Sequence, residues 1–171
     1  MQSYTSPVTY VFIDATNIIY GTKTRDGNRW KVDFQKLYLY LKHHYQARQI
    51  FYFAGLDQYN TKQRRFYQNL RIFGYTTVLK PVKLYHQSNG DVIRKANCDV
   101  DLTFYVMKTI TEYQRAIILS GDGDFLIVLK YLLSNNYSVK VIANGKNTAK
   151  EIKQLVGADF TDINRLREKL Q

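Results

Sequence analysis

The sequence predicts an α/β fold built on a doubly wound, mainly parallel sheet. Short β-branched apolar runs recur along the chain, segments with helical spacing lie between them, and the 171 residues contain neither an internal repeat nor a Pro/Gly/Ser-rich linker. That length makes one ordinary domain, so residues 1–171 are read as a single unit and two large domains are excluded.

The first run, residues 8–13 (VTYVFI), halts at Asp14 and reads as a buried strand. Asp33 then suits the N-cap of a helix running through Leu37 and Leu41. Residues 50–54 form a second strand. In residues 61–73, Phe66, Leu70 and Phe73 recur at i, i+4 and i+7, which marks one apolar helix face opposite Lys62, Arg64, Arg65 and Arg71. Residues 75–85 look extended, Asn89-Gly90 is a turn signal, and residues 91–95 return as a hairpin or a flexible excursion. A helix is expected over 99–110, a strand over 116–119, a helix over 125–133 and a strand over 138–143. Residues 164–171 read as a short polar helix carrying Arg165, Arg167 and Lys169.

Composition narrows the function. With 45% hydrophobic and 23% charged residues the chain is not disordered, and Lys130 interrupts its most apolar stretch well before a membrane span is complete. Residues 1–7 lack the pattern of a signal peptide, so a cytoplasmic location is expected. The single Cys98 makes no internal disulfide, and His43, His44 and His86 have no zinc-type spacing. Lys plus Arg outnumber Asp plus Glu by 25 to 14, giving a net charge of +11, which suits a polyanionic partner. The 15 tyrosines and 9 phenylalanines would supply stacking surfaces for nucleic acid, although most belong to the core, and exposed tyrosines would equally suit a homodimer.

The few acidic residues are not scattered. Asp14 ends the first strand, Asp99 and Asp101 open a helix, and Asp122 and Asp124 follow the strand over 116–119. In an open parallel sheet the carboxyl ends of the strands share one edge, where ligands bind. Carboxylates about 5 Å apart repel by roughly 3 kcal/mol per pair at an effective dielectric near 20, and Mg²⁺ or Mn²⁺ offsets such repulsion. Asn17, in the loop after Asp14, would hold a carboxylate, a water or a phosphate. Asp101 lies about 200° round an ideal helix from Asp99, so it reads as support and not as a ligand. Each of these aspartates alone is an ordinary cap or turn residue; their joint placement is what points to a site.

Three tempting motifs fail. Gly121-Asp122-Gly123 opens like a dinucleotide fingerprint, but Leu126 occupies the third glycine's place. Residues 144–148 (NGKNT) lack the spacing of a phosphate loop and read as a turn with a solvated Lys146. Cys98 reads as a small buried thiol, and the adjacent His43 and His44 diverge round their helix.

Taken in order, Phe12-Ile13-Asp14 with Asn17, Cys98-Asp99-Val100-Asp101-Leu102, Leu119-Ser120-Gly121-Asp122-Gly123-Asp124-Phe125 and residues 136–141 resemble the NYN domains of the LabA-like group, a branch of the PIN-like nuclease superfamily. The helix with Arg64, Arg65, Phe66 and Tyr67 fits the same pattern. The resemblance implies a Rossmann-like three-layer sandwich and a metal site that cleaves RNA. On it, Asp14, Asp99, Asp122 and Asp124 carry Mg²⁺ or Mn²⁺ with Asn17 in support. One departure is Tyr105, where related chains often place a further aspartate; its absence would weaken a second metal site or leave a binding protein with poor activity.

The leading expectation is therefore a metal-dependent endoribonuclease, with Lys62, Arg64, Arg65 and Lys95 meeting the RNA backbone. A non-catalytic RNA-binding module fits the same composition, and a metal-dependent nucleotide phosphatase is a third reading that the high charge disfavours.

Overall fold

The structure is a computed structural model that describes residues 6–22, 28–86 and 92–171, with residues 84–86 and 92–95 described by backbone alone. Six strands form one all-parallel sheet: β1 (Thr9–Asp14), β2 (Ala47–Leu56), β3 (Thr76–Pro81), β6 (Arg115–Leu119), β7 (Ser138–Ala143) and β8 (Phe160–Asp162). Their spatial order is β3-β2-β1-β6-β7-β8. The chain builds outward from β1 to one edge, returns, and builds outward from β6 to the other, so the strand order reverses between β1 and β6. A separate antiparallel pair, β4 (Lys83–His86) with β5 (Val92–Lys95), forms the excursion expected before Asp99; Asn89-Gly90 lies outside the described residues.

Alternation along the strands explains the three layers. Val11 and Ile13 of β1, Ile50, Tyr52 and Ala54 of β2, and Ile117 and Leu119 of β6 face one core. That core is covered by α1 (Ala15–Gly21), α2 (Phe34–Tyr45), α3 (Thr61–Phe73) and α7 (Arg167–Leu170). Tyr10, Phe12, Phe51, Phe53, Ala116 and Ile118 face the opposite core, covered by α4 (Asp99–Lys108), α5 (Leu126–Ser134) and α6 (Lys150–Val156). Strands buried on both faces need continuous apolar runs, which is why they were readable as such. None of the described helices is long and apolar enough to cross a membrane.

Local chemistry sets the boundaries. The Asp33 carboxylate accepts from Gln35 N and Lys36 N and starts α2, while Asn60 caps α3, which stops at Gly74 with φ of 108°. A Cβ on Gly74 would also strike the Tyr38 ring, at 2.4 Å from its hydroxyl. Four elements differ from expectation. The segment after Asp14 is helix α1, not a loop, so Asn17 sits inside a helix. The helix α6 and the short edge strand β8 carried too little periodicity to be seen. The tail is amphipathic and not simply polar, because Leu166 and Leu170 are buried against the α2 side of the sheet.

Candidate metal centre

The carboxyl ends of β1 and β6 lie side by side, with Ile13 paired to Leu119. Asp14 therefore meets the loop that follows β6. Its Oδ1 accepts from Thr16 N at 3.0 Å and Asn17 N at 3.2 Å, capping α1, and its Oδ2 accepts from the Ser120 hydroxyl at 3.1 Å. Asp122 caps a short 3-10 turn by accepting from Asp124 N at 3.0 Å. Asp99 is the first residue of α4, following Cys98. Carboxylate oxygens of Asp99, Asp122 and Asp124 all lie within 4.8 Å of one another. Asp14 stands behind this trio, 9% exposed, with both oxygens engaged by protein donors.

The trio opens on a cleft of about 670 Å³ that Asp14 also lines. Asn17 and Tyr20 of α1 form one wall, Asn97 a second, and Asn144 and Asn147 a third. Asn17 Oδ1 accepts from Gly121 N at 3.0 Å, which ties α1 to the β6 loop and leaves Nδ2 as the amide's remaining donor beside the cleft. Asn144, 3% exposed, accepts from Lys146 N and Asn147 N and donates through Nδ2 to Gly21 O at 2.6 Å. Residues 144–148 are thus a wall of the site and not only a turn with an exposed lysine. No side chain fits at Gly121, because a Cβ there would lie 2.4 Å from Thr148 Oγ1 and 3.0 Å from Thr148 Cα.

Charge in the cleft is one-sided. Among the described residues no lysine or arginine lines it. Burial pushes the Asp14 carboxyl above its ordinary value, and the Asp122 charge adds to that against the opposing pull of its hydrogen bonds. Asp99 is likewise raised, first by burial and then by the charges of Asp14, Asp122 and Asp124. Three hard carboxylate donors without a neutralising side chain fit Mg²⁺ or Mn²⁺, which prefer oxygen ligands. Asp101 is otherwise occupied: it pairs with Lys80 of β3 at 2.7 Å, as its phase on the helix required. The Cys98 thiol is pushed up to about 11, chiefly by burial, which disfavours the thiolate.

Tyr105 does not face the trio. It lies six residues along α4 from Asp99, with its ring 5.3 Å from that of Phe51 and 5.5 Å from that of Phe53. It completes the core between α4 and the sheet. Lys62, Arg64 and Arg65 are exposed near the start of α3, which follows β2 and so begins at the same edge of the sheet as the trio. They do not line the cleft. The Lys95 side chain lies outside the described residues.

Comparison with known proteins agrees with the fold. Low amplitude and bright protein LabA of Synechococcus elongatus is 26% identical over 161 residues, covering 92% of this chain and 84% of LabA. The crystal structure of a protein of unknown function from Vibrio parahaemolyticus superposes with a TM-score of 0.74 over 92% of this chain and 93% of that one, at 22% identity, and so shares the fold. The sequence matches the NYN domain over residues 8–164, nearly its whole length, and the chain therefore belongs to the NYN domain family as a LabA-like member.

Proposed function

We propose that the protein is a metal-dependent ribonuclease, endonucleolytic in action, that hydrolyses RNA phosphodiesters in the cleft at the β1/β6 edge. The observation that carries this reading is the convergence of Asp99, Asp122 and Asp124 within 4.8 Å on a protein of net charge +11. Membership of the NYN family, within the PIN-like nucleases, supports it. These three carboxylates would hold Mg²⁺ or Mn²⁺, with Asp14 contributing negative potential from behind. Bound there, the ion supplies Lewis acidity, offsetting charge on the phosphodiester and acidifying water.

The chain's own groups do the positioning. Asp14 fixes the relative placement of α1 and the β6 loop through Thr16, Asn17 and Ser120. Asn17 Nδ2 and the asparagines at 97 and 147 offer neutral donors to phosphate oxygens, where cations would compete with the metal. Lys62, Arg64 and Arg65 hold the flanking backbone by charge.

The test is incubation of mixed-sequence single-stranded RNA with the protein in Mn²⁺, Mg²⁺ or EDTA, beside Asp99→Asn and Asp122→Asn. Metal-dependent internal cleavage that both variants lose is the expected result. Intact RNA in every metal, bound with an affinity that falls steeply with salt, would replace the nuclease reading by a binding module.

A further inference from the structure

We propose that a second hollow, beside the acidic cleft, is a base-binding subsite for single-stranded nucleic acid, a refinement that rests on the nucleic-acid reading above. The hollow measures about 470 Å³, within the range of small-molecule sites, and its walls are Ile19, Trp30, Val32, Phe34 and Phe66 with Arg29 and Lys31 at its rim. Only the last turn of α1 separates it from the cleft. Tyr20 and Gly21 face the cleft, while Ile19 and Thr22 face the hollow. A helix with its side chains is about 10–12 Å across, so a strand lying in one space reaches the other.

Side chains at this partition are arranged for an amphipathic, anionic ligand. Ile19 is 47% and Tyr20 57% exposed, although both belong to a helix whose other face is fully buried. The Arg29 guanidinium lies 5.1 Å from the Tyr20 ring centroid and so bridges the two spaces. Among the described residues, no acidic side chain lines the hollow and neither Arg29 nor Lys31 has an ion-pair partner. On α3, Lys62 precedes Phe66 by one helical turn, so it is not opposite Phe66 as the apolar spacing suggested but adds an exposed cation on Phe66's side of the helix. Apolar and aromatic walls would take the faces of a base, and the rim cations would meet the phosphates on either side of it. A base paired inside a duplex has no free face to offer, so the subsite selects single strands or loops.

Trp30 makes this directly testable. It is the chain's single tryptophan, 3% exposed, fixed by a 2.8 Å bond from Nε1 to Asn164 Oδ1, and it forms part of the hollow's wall. With EDTA present, so that nothing is cut, the full chain is titrated with a single-stranded RNA, an abasic strand of equal length and a duplex. Binding is followed by anisotropy and the hollow by selectively excited Trp30 emission. The expected result is a saturable change in Trp30 emission with the single strand, at the midpoint given by anisotropy, and none with the abasic strand or the duplex. Ile19→Glu and Arg29→Ala, both at exposed positions, are expected to weaken single-strand binding at least about fivefold and to remove the emission change at matched occupancy. A single strand that fails to bind, that binds with Trp30 unchanged, or that the abasic strand matches in its effect overturns the subsite. The two readings separate cleanly: metal-dependent cleavage without the Trp30 response leaves the nuclease and removes the subsite, whereas the response without cleavage in any metal does the reverse.

Discussion

Neutralising one member of the aspartate trio should make the metal-free protein more stable, not less. The oxygens of Asp99, Asp122 and Asp124 lie within 4.8 Å of each other, a separation at which two charges repel by about 3.5 kcal/mol at a dielectric of 20 and about 0.9 kcal/mol in bulk water. Asp122 and Asp124 are exposed, so the water limit applies. Asp122 takes part in two of the three pairs, and salt screening trims their sum, which leaves about 1–2 kcal/mol. Asparagine keeps the oxygen that accepts from Asp124 N, so the cap at the 3-10 turn survives. For a chain of this size Asp122→Asn should therefore melt about 2–8 °C above wild type in EDTA. Adding Mn²⁺ to about a hundred times its Kd should then stabilise wild type by about 2.7 kcal/mol and the variant hardly at all. Thermal melts in EDTA and in Mn²⁺, at low and high monovalent salt, read both effects, and the EDTA gap should narrow with salt. An Asp122→Asn protein that melts at or below wild type in EDTA, or that keeps the full Mn²⁺ gain, would refute the shared-site reasoning.

Two further outcomes follow from the same geometry. Tyr105→Asp should lose ring contacts with Phe51, Phe53 and Phe104 and set a carboxylate against Phe51 and Phe53, lowering stability by about 2–4 kcal/mol in a denaturant titration without adding metal affinity; an equally stable variant with tighter Mn²⁺ binding would show that Tyr105 stands in for a ligand. Asp14 has a raised pKa in the folded state, so the native protein binds more protons there than the unfolded chain, whose value is 3.8. Its contribution is accordingly greatest below that value and is lost as pH rises through the folded pKa. In EDTA, the stability of wild type relative to Asp14→Asn should rise as pH falls from about 7 toward about 4; a gap that is flat or shrinks would contradict the burial of a charged Asp14.

Much of the fold was legible because a strand buried on both faces leaves a plain trace. The sequence 138–143 coincides with β7, and 61–73 coincides with α3, whose cap and terminal glycine frame it. The chain after Asp14 was misread because α1 has only seven residues, too few to display a period. Its cap is made by Asp14, the aspartate that sequence reading assigned to chemistry. Long-range geometry was the other blind spot. Nothing local says that Asn144 reaches Gly21 O, or that Tyr105 packs on Phe51 and Phe53, because those contacts depend on how the sheet sets its strands side by side. Part of the cluster was legible through topology: Asp14 ends β1 and Asp122 and Asp124 follow β6, so they share one edge of the parallel sheet, whereas Asp99 follows the separate β4-β5 pair and reaches that edge only as the first residue of α4.

The two asparagine bonds of α1 have a bearing on how mutants are to be interpreted. Asn17 holds the backbone after β6 from within the helix, and Asn144 holds the helix's end from the loop after β7. They act as cross-ties between three walls that the chain reaches at widely separated times. A loss of activity on truncating either amide is thus ambiguous by design, since a wall slackens at the same moment a donor disappears. Aspartate at 17 would separate the two effects: it keeps the acceptor for Gly121 N, and so the tie, while exchanging the free donor for a charge.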